Sequence, residues 1–310
     1  MELIVKPTRC ISPLDHASPG GRVFQREVSK TSAKIEGVTQ LDNGGDTAAS
    51  VEVEVRILDG KNVSAQAVAR SVKVPARGIS TAASTLTLDR PRLRHGRKDP
   101  HIYQVEIRLS VGGRESDRSV QPLGIRFYRI DPEKGFMLNG EPYMLRGVCR
   151  HHDRAGRGWA VTHADLKEDL DLILEMGARA VRLAHYPHAG EFYRLCDEAG
   201  LLVWTEIPVV DKISEDPGFA PNAKQQLVEM IRQFGHHPSV FSWGVSNELF
   251  HRPTPDGIPL MRELDQLAKT EDPTRPTTIA VSKNAPTCAT SPTSSPSTAT
   301  PAGTAAGRPG

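Results

Sequence analysis

The chain has 310 residues, enough for two domains, and its 39 lysines and arginines against 37 aspartates and glutamates leave a net charge of +2. This balance gives no basis for a nucleic-acid or membrane partner, and we predict neither. The four cysteines stand far apart, and the first ten residues lack the apolar core of a signal peptide. We therefore predict reduced thiols and a cytoplasmic location.

The first 124 residues are typical of short antiparallel strands. Apolar residues at positions 51, 53, 55 and 57 alternate with charged residues, which is the period of a half-buried strand. Turns rich in Asp, Asn and Gly separate further predicted strands at 22–29, 32–40, 64–74, 84–88 and 102–111. Many short strands without a convincing helix indicate an immunoglobulin-like β-sandwich, which we assign to residues 1–127.

The pattern changes after Arg129. A predicted hairpin around Asp131-Pro132 and Asn139-Gly140 precedes an alternation of strands with helices. The predicted strands are 143–149, 180–184, 201–204, 240–245 and 277–281, and the predicted helices are 165–176, 190–198, 223–234 and 260–270. Such alternation builds right-handed βαβ units around a parallel sheet.

The last residues differ from everything before them. Residues 285–310 are almost wholly Ala, Pro, Thr, Ser and Gly, with Arg308 as the single charge. A segment of this composition buries too little apolar surface to offset its ordering entropy, so we expect disorder. The abrupt change within an α/β alternation favours an unnatural chain end, such as a frameshift or a truncation, over a functional linker.

Polar side chains occur at the carboxyl ends of four predicted parallel strands. They are Arg150, His151, His152 and Asp153 after the first strand, Arg182 and His185 at the second, Glu206 at the third, and Asn247 and Glu248 at the fourth. Each alone has an ordinary explanation, such as a core ion pair, a buried histidine or a helix cap. Four neighbouring strand ends of this kind favour an active site, because that rim carries the active sites of barrel enzymes.

The many histidines do not indicate a transition-metal site. None has the spacing of an HExxH helix or a Cys/His finger, and His236 and His237 precede a strand at the opposite rim. The carboxylates of Glu206 and Glu248 would suit Mg²⁺, which prefers oxygen ligands, and Glu206 is our candidate ligand. The predicted chemistry requires no cofactor.

Carboxylates flanked by Arg, His, Asn and Trp suit a carbohydrate site. Sugar hydroxyls need dense polar partners, while a Trp face packs on the apolar face of a pyranose ring. Glycoside cleavage uses two carboxyl groups, one as acid/base and one as nucleophile or base. Glu248 fits the acid/base role, and Asn247 beside it fits a contact to a neighbouring hydroxyl.

At these residues the chain resembles glycoside hydrolase family 2, which contains β-galactosidases, β-glucuronidases and β-mannosidases. The resemblance covers roughly residues 1–283, and its matching segments are 135–140, 145–153, 181–187, 196–208 and 237–248. It implies a β-sandwich followed by an incomplete (β/α)8 TIM barrel of about five βα units, which we assign to residues 128–284. Arg94 and Arg179 depart from the family pattern, where an aromatic residue and an asparagine are usual, and this bears on packing more than on chemistry.

The resemblance also implies roles for the rim residues. Glu248 would be the general acid/base, and Glu206 matches a rim acid that binds Mg²⁺ in some members. Five residues would contact the sugar or hold the carboxylates in place: Asn247 at the 2-hydroxyl, His151, Asp153, His185 and Arg182. The family's nucleophile is a second Glu on a late barrel strand, for which this chain offers no obvious counterpart, so we expect the chain alone to be inactive.

The function predicted from the resemblance is hydrolysis of terminal β-D-galactosides with retention of configuration. β-Glucuronidase and β-mannosidase activity in the same family remain open, as does a catalytically inactive carbohydrate-binding remnant. In each case the partner is a β-linked glycoside or oligosaccharide. The complete enzyme is a candidate homo-oligomer.

Overall fold

The computed structural model describes residues 3–249 and 257–281. Its first part is a sandwich of two antiparallel sheets. One sheet contains β1 (Arg9–Ile11), β2 (Gly21–Val28), β3 (Ser32–Asn43) and β6 (Gly78–Asp89), with β3 pairing with the other three. The second sheet has the order β5 (Asn62–Val74), β4 (Ala49–Asp59), β7 (Tyr103–Val111) and β8 (Arg114–Leu123).

Alternating side chains form the core of the sandwich. Val51, Val53, Val55 and Ile57 are buried, as the sequence pattern predicts, and they share one apolar cluster with Ile35 of the opposite sheet. All six predicted strands are present, with ends shifted by up to six residues. The pattern does not reveal β1, which has three residues, or β8, an edge strand with mostly polar side chains.

A small antiparallel sheet connects the sandwich to the second part of the chain. It consists of β9 (Tyr128–Asp131), β10 (Gly135–Leu138) and β11 (Glu141–Pro142). Asn139 and Gly140 form its two-residue turn with φ of 53° and 84°, the left-handed conformation that these two residue types tolerate best. The predicted strand 143–149 is wrong at its start, because Tyr143 packs against Phe136 and the strand begins at Gly147.

Five parallel strands follow in sequential order in the sheet. They are β12 (Gly147–Arg150), β13 (Ala180–Leu183), β14 (Leu202–Glu206), β15 (Val240–Asn247) and β16 (Thr277–Ala280). The helices between them are α1 (His163–Glu175), α2 (Gly190–Ala199), α3 (Phe219–Phe234) and α4 (Ile258–Glu271). The fold-class prediction, a β-sandwich followed by an incomplete (β/α)8 barrel, is confirmed. The tail at 285–310, with its expected disorder, lies outside the described residues.

Several element ends differ from the predictions for identifiable reasons. Helix α3 begins at Phe219 instead of at position 223, because Pro221 falls in the first turn, where no backbone N–H donor is needed. Strands β14 and β15 continue two residues beyond the predicted ends, to Glu206 and Asn247. The continuation places these two polar residues on the sheet itself, where backbone pairing fixes their positions.

The two faces of the parallel sheet differ in chemistry. The face covered by the helices is apolar and includes the fully buried Leu183 and Val203. On the opposite face, near the amino ends of the strands, Leu202 and Phe241 pack against Phe136 of the small sheet. The carboxyl ends of the same face carry the predicted polar residues.

Hydrogen bonds from the sandwich side reach the amino end of β15. The Arg126 guanidinium donates to the carbonyl oxygen of Val240 at 2.6 Å, and the Tyr128 hydroxyl donates to that of Phe241 at 2.6 Å. Burial raises the pKa of Tyr128 to about 12, so this hydroxyl keeps its proton.

Among the helices of the described residues, none is long and apolar enough to cross a membrane.

Candidate active site

Three polar side chains meet at the carboxyl ends of neighbouring strands. Arg182 lies one residue before the end of β13, and Glu206 and Asn247 are the last residues of β14 and β15. Arg182 pairs in register with Trp204, which lies two residues before Glu206 on the same face of β14. Parallel strands end at one edge of the sheet, so their terminal side chains converge there.

Arg182 joins these groups through its guanidinium. Its Nε and Nη2 donate to the two carboxylate oxygens of Glu206 at 3.0 and 2.9 Å, and Nη2 also donates to Oδ1 of Asn247 at 2.7 Å. The guanidinium carbon lies 4.5 Å from the ring centroid of Trp204. Glu206 is fully buried. A buried carboxylate needs a partner for its charge, and the bidentate pair with Arg182 provides that partner.

His185 completes the network from the loop after β13. Its Nδ1 lies 2.7 Å from Oε1 of Glu206, and since a carboxylate is an acceptor, Nδ1 carries the proton. The ring of His151, which follows β12, lies 5.2 Å from the His185 ring in an edge-to-face arrangement.

Glu248 follows β15 directly. Its backbone N–H donates to the carbonyl oxygen of Ala280 at 2.8 Å, so β16 fixes its main chain. Its φ is 49°, in the left-handed region that a residue with a Cβ rarely adopts, and its side chain is half-buried. Such strain is typical of functional positions, where the surrounding structure enforces the conformation.

The structure thus brings some predicted site residues into contact and leaves others at the edge. Arg182, His185 and Asn247 share one network with Glu206, and His151 touches it through the His185 ring. Asp153 is exposed in the loop beyond β12. The roles assigned to Glu248, Asp153 and the other residues stay predictions, because geometry alone does not test them.

The surroundings of Glu206 do not fit a Mg²⁺ site. Both of its oxygens accept hydrogen bonds from cationic or N–H donors, which compete with a metal for the same lone pairs. The described residues contain no group of three or more His, Cys, Asp or Glu that could hold a metal ion. At the opposite rim, His237 binds the buried Asp197 through Nδ1 at 2.6 Å.

A second buried network lies beside the first. Arg150 forms an ion pair with Asp169 of α1 at 2.7 Å, and its Nη1 lies 3.0 Å from Nδ1 of His188. Arginine can only donate, so Nδ1 of His188 accepts, and Nε2 carries the proton toward the carbonyl oxygen of Ala184 at 3.3 Å. Burial and the nearby Arg150 charge lower the pKa of His188 to about 3.

One prominent rim residue, Trp159, is absent from the predicted site residues. Its side chain lies in the loop between β12 and α1 and is 68% exposed. Its indole ring stacks on the ring of Tyr186, with centroids 4.9 Å apart and an interplanar angle of 29°. No strand-end pattern points to Trp159, because it lies nine residues beyond the end of β12; an exposed aromatic in a long rim loop is the available signal.

Comparison with known proteins agrees with this architecture. The family model described as glycosyl hydrolases family 2, TIM barrel domain, matches residues 130–295, and the model described as glycosyl hydrolases family 2 matches residues 23–126. The chain belongs to glycosyl hydrolase family 2. Membership supports a hydrolase that acts on a glycoside, and it confirms the resemblance drawn from the sequence.

Relatives within glycosyl hydrolase family 2 include enzymes of two specificities. The chain is 42% identical over 287 residues to a β-glucuronidase of Bacteroides fragilis and 29% identical over 245 residues to the β-galactosidase BoGH2A of Bacteroides ovatus. A crystal structure of a Bacteroides uniformis β-glucuronidase superimposes with a TM-score of 0.84 at 30% identity.

The alignments cover most of this chain but less than half of each compared protein. The alignments cover 90% of this chain and 41% of the B. fragilis protein, 77% and 29% for the B. ovatus protein, and 89% and 35% for the B. uniformis structure. The chain therefore spans less than half the length of these relatives.

Proposed function

We propose that this chain is the acid/base-bearing part of a retaining β-glucuronidase. The observation that carries the proposal is the position of Asn247 and Glu248 at the end of β15, beside the Arg182–Glu206 pair. The 42% identity to a β-glucuronidase favours that specificity, one of the alternatives left open by the sequence, over the β-galactosidase first predicted.

In the proposed reaction Glu248 acts first as an acid and then as a base. It protonates the bridging oxygen while a second carboxylate attacks the anomeric carbon, so that the aglycone leaves and a glycosyl intermediate forms. Glu248 then takes a proton from the water that attacks the same carbon, which releases the second carboxylate. Two displacements at one carbon retain the anomeric configuration.

Asn247 is suited to orient the substrate. Its Oδ1 accepts from Arg182 at 2.7 Å, which fixes the amide so that Nδ2 is the end left to donate. A donor next to the acid/base carboxyl can hold the hydroxyl adjacent to the anomeric carbon. Because Arg182 is itself locked by Glu206, the amide is preorganised before substrate binds.

Glu206 is not suited to be the second carboxylate. A nucleophile must present an oxygen to the anomeric carbon, whereas Glu206 is fully buried and engaged by Arg182 and His185. We propose that the nucleophile comes from residues other than those described. The described chain is then expected to bind a glycoside without turning it over.

Binding and turnover are best measured separately. Calorimetric titration of the purified chain is expected to give tighter binding for phenyl β-D-glucuronide than for phenyl β-D-galactoside. A preference for the galactoside would refute the proposed specificity and support the β-galactosidase alternative, which the B. ovatus relative favours.

Turnover tests the role of Glu248. Hydrolysis of 4-nitrophenyl glycosides is followed for the parent chain, for Glu248→Gln and for Glu175→Gln, a matched change at an exposed site near the far end of α1. None of the three is expected to turn the glycosides over. Turnover by the parent that falls about 100-fold or more in Glu248→Gln and stays unchanged in Glu175→Gln would support Glu248 as the acid/base and would refute a nucleophile outside the described residues. Turnover that survives Glu248→Gln would remove Glu248 from the mechanism.

A further inference from the structure

Trp159 presents an indole face to solvent at the rim of the site. Its other face stacks on Tyr186, the residue directly after His185, and the Tyr186 ring lies 6.2 Å from the ring of His151. The Tyr186 hydroxyl accepts a hydrogen bond from the backbone N–H of His152 at 3.3 Å. The aromatic pair is therefore continuous with the histidines of the predicted sugar pocket.

Ion pairs connect the loop that carries Trp159 to α1. Arg154 and Arg157 both reach Asp165 of α1, at 3.0 and 2.7 Å, and Asp165 also forms a capping box with Thr162. The hydrogen bonds from Thr162 lower the pKa of Asp165 to about 2, so the carboxylate that anchors both arginines is ionised at neutral pH. Within the loop, the N–H of Gly158 donates to the carbonyl oxygen of Arg154 at 2.9 Å.

Exposure of an indole has a physical cost, because a large apolar surface stays in water. Burying such a ring stabilises a protein, and the side chain is nevertheless 68% exposed while two ion pairs connect its loop to α1. The other two tryptophans show the contrast: Trp243 is fully buried and Trp204 is half-buried under the Arg182 guanidinium. A preorganised aromatic surface beside a polar pocket is the usual form of a ring-binding site.

We propose that Trp159, backed by Tyr186, is a stacking platform that binds the flat apolar face of a glycoside substrate ring at the edge of the active site. This assignment rests on the proposed glycosidase function and extends it to a substrate contact outside the strand-end network. The ring is either the C–H face of a pyranose or an aromatic aglycone, since both offer the same flat apolar surface.

The test uses binding to the purified chain, so that it does not depend on turnover. The ¹⁵N–¹H spectrum of the three tryptophan indoles is recorded during titration with phenyl β-D-glucuronide, and the Trp159 signal is assigned by its loss in Trp159→Phe. The Trp159 signal is expected to shift most. Calorimetry should show binding weakened about threefold to tenfold in Trp159→Ala and within about twofold of the parent in Trp159→Phe, which keeps a flat ring.

Two controls separate the platform from other causes. Met176→Ala removes an equally exposed apolar side chain at the far end of α1 and should leave binding unchanged. Circular dichroism shows whether Trp159→Ala is folded.

Comparison of methyl with phenyl glycosides identifies the ring that stacks on Trp159. Weaker binding of the phenyl glycoside alone in Trp159→Ala indicates an aromatic aglycone, and equally weakened binding of both glycosides indicates the sugar.

The outcomes also distinguish this inference from the proposed specificity. If the galactoside binds better and Trp159→Ala weakens it, the platform is supported and the glucuronidase proposal fails. If the glucuronide binds better and Trp159→Ala binds it as well as the parent does, the platform is refuted alone. An unchanged Trp159 signal with every glycoside likewise overturns the platform.

Discussion

Arg182 and Glu206 form a bidentate ion pair between neighbouring strands at the rim of the sheet, with N–O distances of 3.0 and 2.9 Å. Glu206 is fully buried, and the Arg182 side chain is 17% exposed. The pair also fixes Asn247 and His185, so one buried charge pair sets the positions of two proposed substrate contacts. Its removal should therefore affect both stability and ligand binding.

Arg182→Ala should destabilise the chain by about 3–5 kcal/mol, because the buried Glu206 carboxylate loses its bidentate partner. The free energy of unfolding from urea titration provides the measurement. The double variant Arg182→Ala with Glu206→Gln should recover part of the loss, since no uncompensated charge then remains. A loss below about 1 kcal/mol in the single variant would contradict the importance of this pair.

The backbone of Glu248 leads to a second prediction. At φ of 49° a glycine is more favourable than any residue with a Cβ, by about 1 kcal/mol. Glu248→Gly should therefore be more stable than Glu248→Ala by about that amount, although both variants lose the proposed acid/base. Equal urea midpoints for the two variants would show that the strained conformation is absent in solution.

His188 predicts a specific sensitivity to acid. Its pKa is lowered to about 3 in the folded chain, against an ordinary value of 6.5, by burial and by Arg150. Between these two pH values the unfolded chain binds one more proton than the folded chain, so acid favours unfolding. The stability contribution is complete above pH 6.5 and is lost as the pH falls toward 3.

His188→Gln isolates this effect, because Gln can accept from Arg150 and donate to the carbonyl oxygen of Ala184 without titrating. Between pH 7 and pH 5, the parent should lose roughly 2 kcal/mol more stability than the variant does. Urea titrations at the two pH values measure the difference. Parallel pH dependence in both proteins would show that His188 becomes charged without cost.

The sequence was sufficient to predict the architecture because its signals are local. Alternation at positions 51–57 determines which side chains enter the sandwich core, and each helix of the barrel shows its own apolar period. The strand ends were predictable to within two residues, since Glu206 and Asn247 follow short apolar runs typical of buried strands. The two-residue errors at these ends arise because a polar residue can remain in a strand when a neighbour such as Arg182 pairs with it.

The network itself was not predictable, because it depends on register between strands that lie far apart in sequence. Arg182 reaches Asn247 across 65 residues, and no local pattern specifies which arginine meets which carboxylate. Arg94 shows the same limitation. This departure from the family pattern is fully buried and donates to the carbonyl oxygens of Pro100 and Asp197, an anchoring contact between the sandwich and α2 that composition does not suggest.

The loop around Trp159 yields a last prediction, on dynamics. Thr162→Ala removes the N-cap hydroxyl of α1 and should cost about 1 kcal/mol while leaving the Asp165 ion pairs with Arg154 and Arg157 in place. Asp165→Ala removes the capping partner and both of these ion pairs, so the loop keeps the Arg154–Glu168 pair but loses its two contacts to Asp165. Hydrogen exchange of amides 154–161 should therefore speed up markedly in Asp165→Ala and much less in Thr162→Ala. Equal exchange in the two variants would show that the arginines do not hold the loop, and Trp159 would then lack the preorganised support that its role as a platform requires.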